Sequence, residues 1–463
     1  MATVQSSTIK VKPERTWKHS WPVVWWARAY GGSLIITSVA FPIIATGVTI
    51  CFFLAPPIDF PWLTTNSHWY APVYGFLTTC CILFLLALLR SRFATASGAN
   101  MRVYEDLKSR FSELDMRLKV LNMRESQTAA KPLQNEDEDD LCCKDALNKV
   151  TNAKRELNHY LFHKHSSTEW TLGIGYVNAW RLIHRAYEAL VEFEPLQEVI
   201  GEVIHDIRSI QNSSIPDSTS LIRKMLQAVK DLRPEAMVYF EELRTDKNYS
   251  DLFDGLVQVQ LNPDLEDLTT KKPADQCTWS IKIAREAIQQ VKHSLYLYQD
   301  GLRHTLVRSR NHIYTAITLT GFVTYFLTCM VILWNATQFA IGTATVYYMI
   351  GAVTGLFVRF YKEATVKDAP SDDYGLFLSR FFATPLLSGL AALGGVLIAA
   401  TLPTLSGQKA PELNTIFNST VTLEYFFAAA IFGYAPNLII GSLQQRAQKF
   451  STDLQNSRGE GSS

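Results

Sequence analysis

The sequence lacks the motifs that indicate an enzyme. No glycine-rich phosphate loop follows a strand-like segment, no serine lies in a Gly-x-Ser-x-Gly context, and no His-Glu-x-x-His pair occurs. The apolar segments also lack the pair of aspartates that an intramembrane aspartyl protease needs. Because no acid, base and nucleophile combine into a motif, the chain is predicted to be non-enzymatic, with no catalytic residue.

Signals for metals, cofactors, disulfides and nucleic acids are equally weak. The seven cysteines include two vicinal pairs but no CxxC unit, so they are interpreted as small buried side chains. His159 and His163 lie four residues apart on a predicted helix, but no carboxylate or cysteine completes a metal site. The formal net charge is only +1, which gives no argument for a nucleic-acid partner.

Long apolar runs without a Lys, Arg or Asp in their interior are the dominant feature that is present. Each is close to the roughly 20 residues that a helix needs to cross about 30 Å of hydrocarbon. No alternating strand pattern or hairpin signal accompanies them. The fold class is therefore predicted to be an all-α integral membrane protein with six transmembrane helices, arranged as two and then four. The runs are 31–54, 69–89, 312–334, 339–358, 381–402 and 421–443.

The Lys and Arg residues of the short connecting segments predict the orientation. Twelve of them lie in the N-terminal tail, the loop 359–380 and the C-terminal tail, against one, Lys409, in the alternate loops. Positive charge favours the cytoplasmic side. We therefore expect a cell-membrane protein with a basic cytoplasmic tail at 1–30, a transmembrane hairpin at 31–90, a cytoplasmic domain at 91–311, four transmembrane helices at 312–443 and a cytoplasmic tail at 444–463.

Residues 91–311 are predicted to be helical. The spacing of Leu107, Phe111, Leu114, Leu118 and Leu121 is that of a short coiled-coil seam, expected to pack within the domain or to help an oligomer. An acidic linker is expected at 125–140. Helical patterns follow at 141–164, 168–193, 195–211 and 217–244. A last helix, from about 276, leads into the third apolar run, and both helices that join the domain to the spans are expected to continue into them.

The loop 359–380 has the densest cluster of charges near the membrane. Asp372 and Asp373 are predicted to pair with Arg359 and Arg380, and such pairs would fix the loop against the helices of the domain. A loop with ordinary solvated charges is the alternative. Asn437 follows Pro436 in the sixth run, where its amide could bond to the carbonyl that proline leaves free. These five polar residues are the candidates for gating or ion pairing.

These features favour a non-enzymatic membrane sensor or scaffold, in which the helical domain binds a cytoplasmic protein and the spans anchor it. A gated ion channel or pore is the first alternative, because pores can be lined by Ser, Thr and backbone carbonyls. An uncoupled transporter is the second; Glu424 is the one acidic residue within the runs, which leaves proton-coupled transport little to work with. The expected partners are the lipid bilayer, a cytoplasmic protein and further copies of the chain in a homo-oligomer.

Overall fold

The computed structural model describes almost all of the helical core of the chain. The described residues are 40–55, 69–91, 100–129, 138–163, 167–240, 274–365, 374–401, 416–417, 423–436, 449–450, 452–454 and 457. These residues are almost entirely helical, and none of them forms a strand. The all-α prediction is confirmed for this part of the chain.

Twelve helices are labelled in chain order. A π-helical turn at His159–His163 extends the fourth of these helices. A 3-10 turn at Pro234–Phe240 follows the eighth. The helices are α1 Ala40–Leu54, α2 Tyr70–Ser91, α3 Met101–Ala129, α4 Glu138–Asn158, α5 Ser167–Thr171, α6 Ile174–Leu190, α7 Leu196–Asn212, α8 Ser218–Leu232, α9 Ala274–Leu333, α10 Gln338–Thr365, α11 Leu376–Thr401 and α12 Leu423–Tyr434.

Helices α3 to α8 pack with the first half of α9 into one unit, called the helical domain below. The apolar stripe of α7, which includes Val199, Val203 and Ile207, is buried against α8 and α9. Pro195 directly precedes α7, where a missing N–H costs nothing. The sequence pattern predicted a helix over 217–244. The observed helix α8 ends at Leu232, and a 3-10 turn begins at Pro234, which cannot continue an α-helix without loss of a hydrogen bond.

Helix α9 is a single helix of 60 residues, and it is the longest described element. At 1.5 Å per residue it is about 90 Å long. Its first half contributes Ile288, Val291 and Leu295 to the core of the helical domain. Its second half contains Ile317 and Ile332, which pack among the apolar helices. The expected continuity between the domain and the third apolar run is therefore observed.

The prediction that α2 continues into α3 is wrong. Helix α3 begins anew at Met101, and the side chain of Asn100 accepts a hydrogen bond from the backbone N–H of Val103 at 3.2 Å. An asparagine in this position is a helix N-cap, because its side chain satisfies an N–H that has no partner within the helix. One helix, α9, is thus the rigid connection that the described residues show between the helical domain and the apolar helices.

The leucine seam of α3 lies inside the domain. Leu107 packs with residues of α6 and α9, whereas Leu114 and Leu118 pack with Val150 of α4 and Ala186 of α6. All three leucines are buried. The seam therefore joins helices of one chain, and a coiled coil between copies is not shown.

Three described helical segments are long and apolar enough to cross a membrane: 281–333 within α9, 338–361 in α10 and 379–401 in α11. Helices α1, α2 and α12 are apolar but shorter in the described part. Each of the six predicted runs therefore contains a helix, and the three long ones indicate membrane association. Large apolar side chains such as Phe326, Phe357 and Ile431 are more than 60% exposed, as expected for surfaces that face lipid.

Helices α10, α11 and α12 approach each other closely through glycine. A Cβ atom on Gly351 would collide with Ser388 and Ala392 of α11, and one on Gly433 would lie 2.6 Å from the Cα atom of Gly351. Small residues on facing surfaces allow such contact between membrane helices. The Gly351-x-x-x-Gly355 pattern thus serves ordinary close packing among the described residues.

We predict that Leu114→Asp unfolds the helical domain. The side chain of Leu114 is fully buried, so the variant loses about 2–5 kcal/mol of apolar packing and also buries a charge. Met116→Asp is the matched control, because Met116 is 63% exposed on the same helix. Limited proteolysis of the detergent-solubilised variants measures the effect. Equal protease resistance of both variants would show that the seam does not hold the domain together.

Candidate functional site

A polar cavity lies inside the helical domain, between α3, α6, α7 and α9. Its volume is about 630 Å³. We call it the charged cavity, because ionisable side chains make up about half of its walls. The lining residues are Arg110, Glu113, Arg117, Trp180, His184, Tyr187, Glu198, Gly201, Glu202, His205, Asp206, Ser209, Lys292, Leu295, Tyr296, Gln299, Arg303 and Ser457.

Two helices supply most of the lining through simple helical spacing. On α7, Glu198, Glu202 and Asp206 are four residues apart and form an acidic row beside the apolar stripe. On α9, residues 292, 296, 299 and 303 are spaced by four, three and four, so they share one face of the helix. The apolar stripe of each helix fixes the rotation of that helix, and the polar row beside it is thereby directed into the cavity.

Lys292 is the central cation of the charged cavity. Its side chain is only 2% exposed, and its Nζ atom lies 2.6 Å from Oε2 of Glu202 and 3.0 Å from Oδ2 of Asp206. Burial acts to lower the pKa of Lys292, but Asp206 and Glu202 raise that pKa well above its usual value. The ammonium group therefore stays charged. A buried ammonium is costly, and these two carboxylates offset that cost.

The two carboxylates differ from each other. Burial raises the pKa of Asp206 and outweighs the contact with Lys292. Burial also acts on Glu202, but Lys292 and Arg117 together lower the pKa of this carboxyl below its usual value. The cavity thus contains one carboxyl group whose pKa lies above its usual value and a neighbouring one whose pKa lies below its own.

Arg117 ties α3 to the opposite wall. Its guanidinium contacts Glu113 at 2.7 Å, Glu194 at 3.1 Å and Glu202, and it lies over the ring of Tyr187. The Glu194 side chain is almost fully buried in the turn between α6 and α7, and burial raises its pKa. One planar cation thus links a surface helix to two buried acids, which lysine could not do with the same geometry.

A second cluster continues the charged cavity along α9. Arg303 is fully buried, and its Nη1 atom lies 3.0 Å from Oδ1 of Asp300, while its guanidinium lies 4.2 Å from the ring of Trp180. The ring of His184 stacks on Tyr296 at 4.2 Å, and its Nδ1 atom lies 3.1 Å from Asp300. Burial acts to raise the pKa of Asp300, but His184 and Arg303 lower it. The Asp300 carboxylate is thus held in its charged form between Arg303 and His184.

The charged cavity offers a ligand hydrogen-bonding and charged partners of both signs. Four cations and four carboxylates line it, so a dipolar or hydrogen-bonding group would meet partners of both signs. Ser209 lies 3.5 Å from Nδ1 of His205, but its hydroxyl donates to the backbone carbonyl of the same histidine at 2.9 Å. No group of three or more His, Cys, Asp or Glu among the described residues is arranged to hold a metal ion.

A second polar centre lies where the helical domain meets the apolar helices, and Arg310 of α9 is its core. The buried guanidinium donates to the carbonyl of Tyr374 at 2.7 Å and to the carbonyl of Thr171 at 2.9 Å. The neighbouring Asn311 amide donates to the carbonyl of Leu172 at 3.2 Å. We call this group of contacts the Arg310 joint, because it fastens α9 both to the turn before α6 and to the turn before α11.

Two glycines make the Arg310 joint sterically feasible. Gly173 and Gly375 have φ angles of 79° and 82°, which is the left-handed region that side chains disfavour. A Cβ atom on Gly173 would lie 3.0 Å from Nη2 of Arg310, and one on Gly375 would lie 3.6 Å from its Nη1. Both turns therefore combine the required backbone conformation with close approach to the guanidinium.

The candidate residues in the loop 359–380 are only partly brought together. Arg359, at the end of the apolar part of α10, is buried and lies 3.4 Å from the hydroxyl of Thr384 in α11. Arg380 is also buried, and its backbone carbonyl accepts a hydrogen bond from Thr384. Asp372, Asp373 and Asn437 lie outside the described residues, so their predicted pairing stays a prediction.

The sequence analysis missed both polar centres. Arg110, Glu113 and Arg117 flank the leucine seam of α3 and line the charged cavity, but no motif singles them out. The same holds for His184, which is buried against Tyr296. Two features of the sequence could have indicated the charged cavity. The acids of α7 are spaced by four residues, and Lys292 lies among the apolar positions 288, 291 and 295 of α9.

Comparisons of the chain with protein-family models, with characterised proteins and with solved structures gave no match. Any function therefore has to be argued from the residues of this chain.

We predict that Lys292→Met destabilises the helical domain in a pH-dependent way. Removing one partner of a buried ion pair costs about 3–5 kcal/mol, because Asp206 loses its cationic partner and Glu202 keeps only Arg117. The pKa of both carboxyls should rise in the folded variant. The loss of stability should therefore be largest at neutral pH, where both acids are ionised, and should shrink as the pH falls and they take up protons.

Denaturant unfolding of the detergent-solubilised protein at pH 7.5 and pH 5 tests this prediction. Lys224→Met is the control, because Lys224 is exposed on α8. A Lys292→Met variant that is as stable as the control at both pH values would mean that the ion pairs contribute nothing to the domain.

Proposed function

We propose that the protein is a multispanning membrane protein that acts as a non-enzymatic sensor or scaffold. In this proposal the helical domain receives the input, and α9 carries it to the apolar helices. The single observation that carries the proposal is the uninterrupted course of α9 from the charged cavity, at Lys292 and Arg303, through the Arg310 joint and into an apolar segment. A rigid helix transmits a rotation or translation along its whole length.

The proposal includes the finer topology: six spans, a cytoplasmic helical domain and two cytoplasmic termini in the cell membrane. Two observations support it. Each of the six apolar runs contains a helix in the described part of the chain. Lys and Arg are concentrated in the segments that this arrangement assigns to the cytoplasm.

Cysteine accessibility in intact cells tests the topology. In a background without native cysteines, Gln338→Cys and Gln408→Cys should react with an impermeant thiol reagent, because both positions are expected on the outer face. Ser126→Cys should react only after the membrane is permeabilised. Labelling of Ser126→Cys in intact cells would overturn the proposed orientation.

The charged cavity is the proposed point of input for a polar ligand or for a protein partner. Buried charges cost free energy, and their value to stability is low compared with apolar packing. A chain that nevertheless retains Lys292, Asp206 and Arg303 in one domain gains a site with fixed charges of both signs. Such a site can discriminate among partners by charge complementarity.

A gated channel is the second candidate, and the Arg310 joint is the observation that favours it. The joint attaches α9 to Tyr374 in the turn before α11, and α11 contains Pro385 next to the buried Thr384 and near the buried Ser388. Movement of α9 would therefore pull on a helix with a proline. The close glycine contacts between α10, α11 and α12 fill the space inside one copy, so a pore would have to form between copies.

We predict that Arg310→Met separates the helical domain from the apolar helices. The variant loses two charge-assisted hydrogen bonds, each worth about 1.5–3 kcal/mol. Amide hydrogen exchange in lipid nanodiscs should become at least about tenfold faster at 171–175 and 374–378. Arg308→Met is the matched control, because Arg308 is exposed two residues earlier on the same helix.

The same measurement tests the transmission itself. Lys292→Met should also change exchange at 374–378, and this remote effect should disappear when Arg310→Met is added. If Lys292→Met has no remote effect with Arg310 intact, α9 does not transmit, and the sensor proposal fails. Ion flux in liposomes then separates the two candidates, because a scaffold predicts impermeable vesicles and a channel predicts flux that Arg310→Met alters.

A further inference from the structure

The C-terminal segment returns to the helical domain. Its described residues are 449–450, 452–454 and 457, and all of them are helical. Leu454 is fully buried in the apolar cluster that α3, α4, α6 and α9 share, and Phe450 packs against the same cluster. Phe450, Leu454 and Ser457 are spaced by four and three residues, so they share one helical face. The described residues of the segment thus pack in a groove of the domain through the apolar side chains of Phe450 and Leu454.

Polar contacts fix the register of this docking. The Gln299 side chain of α9 donates to the carbonyl of Ser457 at 2.6 Å, and both residues are buried. Ser214, between α7 and α8, donates to the carboxylate of Asp453 at 3.0 Å. Burial and the nearby Asp453 carboxylate together raise the pKa of Tyr298. The segment is therefore held by side chains from two separate places on the domain.

The docked segment is also part of the charged cavity. Ser457 and its partner Gln299 both belong to the lining, so the segment forms the wall at this point. Every other lining residue comes from α3, α6, α7 or α9. These helices belong to the packed core of the domain, whereas the described residues of the C-terminal segment are held by Leu454, Phe450 and two side-chain hydrogen bonds. It is the part of the wall that can detach at the lowest cost.

We propose that the C-terminal residues 449–450, 452–454 and 457 are an intramolecular ligand of the helical domain and act as a lid whose release widens the charged cavity where Ser457 meets Gln299. Its groove, formed around Ser214, Tyr298 and Gln299, would recognise a helix that carries an aromatic residue, a leucine four positions later and a small polar residue three positions after that. The lid would act in the same way in a scaffold or in a channel, because it controls access to the cavity and not the response of the spans.

Thiol labelling of the full-length protein in nanodiscs tests the lid. In a background without native cysteines, Ser457→Cys reports docking of the segment and Ser209→Cys reports access to the cavity, since both serines are about 1% exposed. Leu454→Asp should increase both labelling rates by about tenfold or more, because it places a charge in an apolar groove. Thr452→Asp is the matched control: it adds the same charge on the exposed face of the same segment.

A peptide supplied in trans provides the complementary test. A synthetic peptide of residues 446–460 should bind the Leu454→Asp protein and restore the protection of Ser209→Cys. The same peptide carrying Leu454→Asp should do neither. Unchanged labelling in the Leu454→Asp protein would overturn the docking, and faster labelling of Ser457→Cys alone would overturn the lid.

A third probe keeps the test decisive if Leu454→Asp unfolds the domain. Ala189→Cys lies in the apolar cluster of Leu114 and Leu118, and it should stay protected when only the lid is released. If it too becomes reactive, Phe450→Ala replaces Leu454→Asp as the milder change. Several-fold faster labelling of Ser457→Cys and Ser209→Cys in Phe450→Ala then supports the lid, and no change overturns it.

Discussion

The structure depends on one helix that meets the requirements of two environments. The first half of α9 buries Ile288, Val291 and Leu295 in the helical domain, and its second half is apolar enough to cross a membrane. The peptide groups in its interior are satisfied by the helix itself, which is the condition for entering lipid. The helix therefore needs no loop or turn at the boundary, where an exposed backbone would be costly. A displacement of its first half cannot be absorbed locally.

The charged cavity imposes a second constraint on the same helix. Lys292 and Arg303 are nearly or fully buried, and each contacts a carboxylate within about 3 Å. Apolar side chains of similar volume would often give equal or greater stability. What the ion pairs do fix is the arrangement of the helices, because Arg117 and Lys292 reach the same Glu202 from α3 and α9. A rotation of α9 relative to α7 would separate these charges.

The sequence predicted those features that depend on local periodicity. The stripe of α7, the long course of α9 and the apolar helices follow from spacing along a single segment. The charged cavity does not, because its pairs join residues far apart in the chain: Arg117 meets Glu202 across 85 positions, and Lys292 meets it across 90. The break before α3 was missed for a different reason. Asn100 caps α3 through one side-chain hydrogen bond, and the spacing of apolar residues does not indicate such a cap.

The Arg310 joint explains how the boundary can be both firm and reversible. Its partners at 171 and 374 are backbone carbonyls. The contacts therefore depend on where the two turns lie and not on which side chains the turns carry. Gly173 and Gly375 hold the positive φ angles that present these carbonyls. Two hydrogen bonds from one guanidinium are strong when aligned and weaken steeply when the geometry changes. A modest shift of α9 would therefore release both turns together, and with them the start of α11.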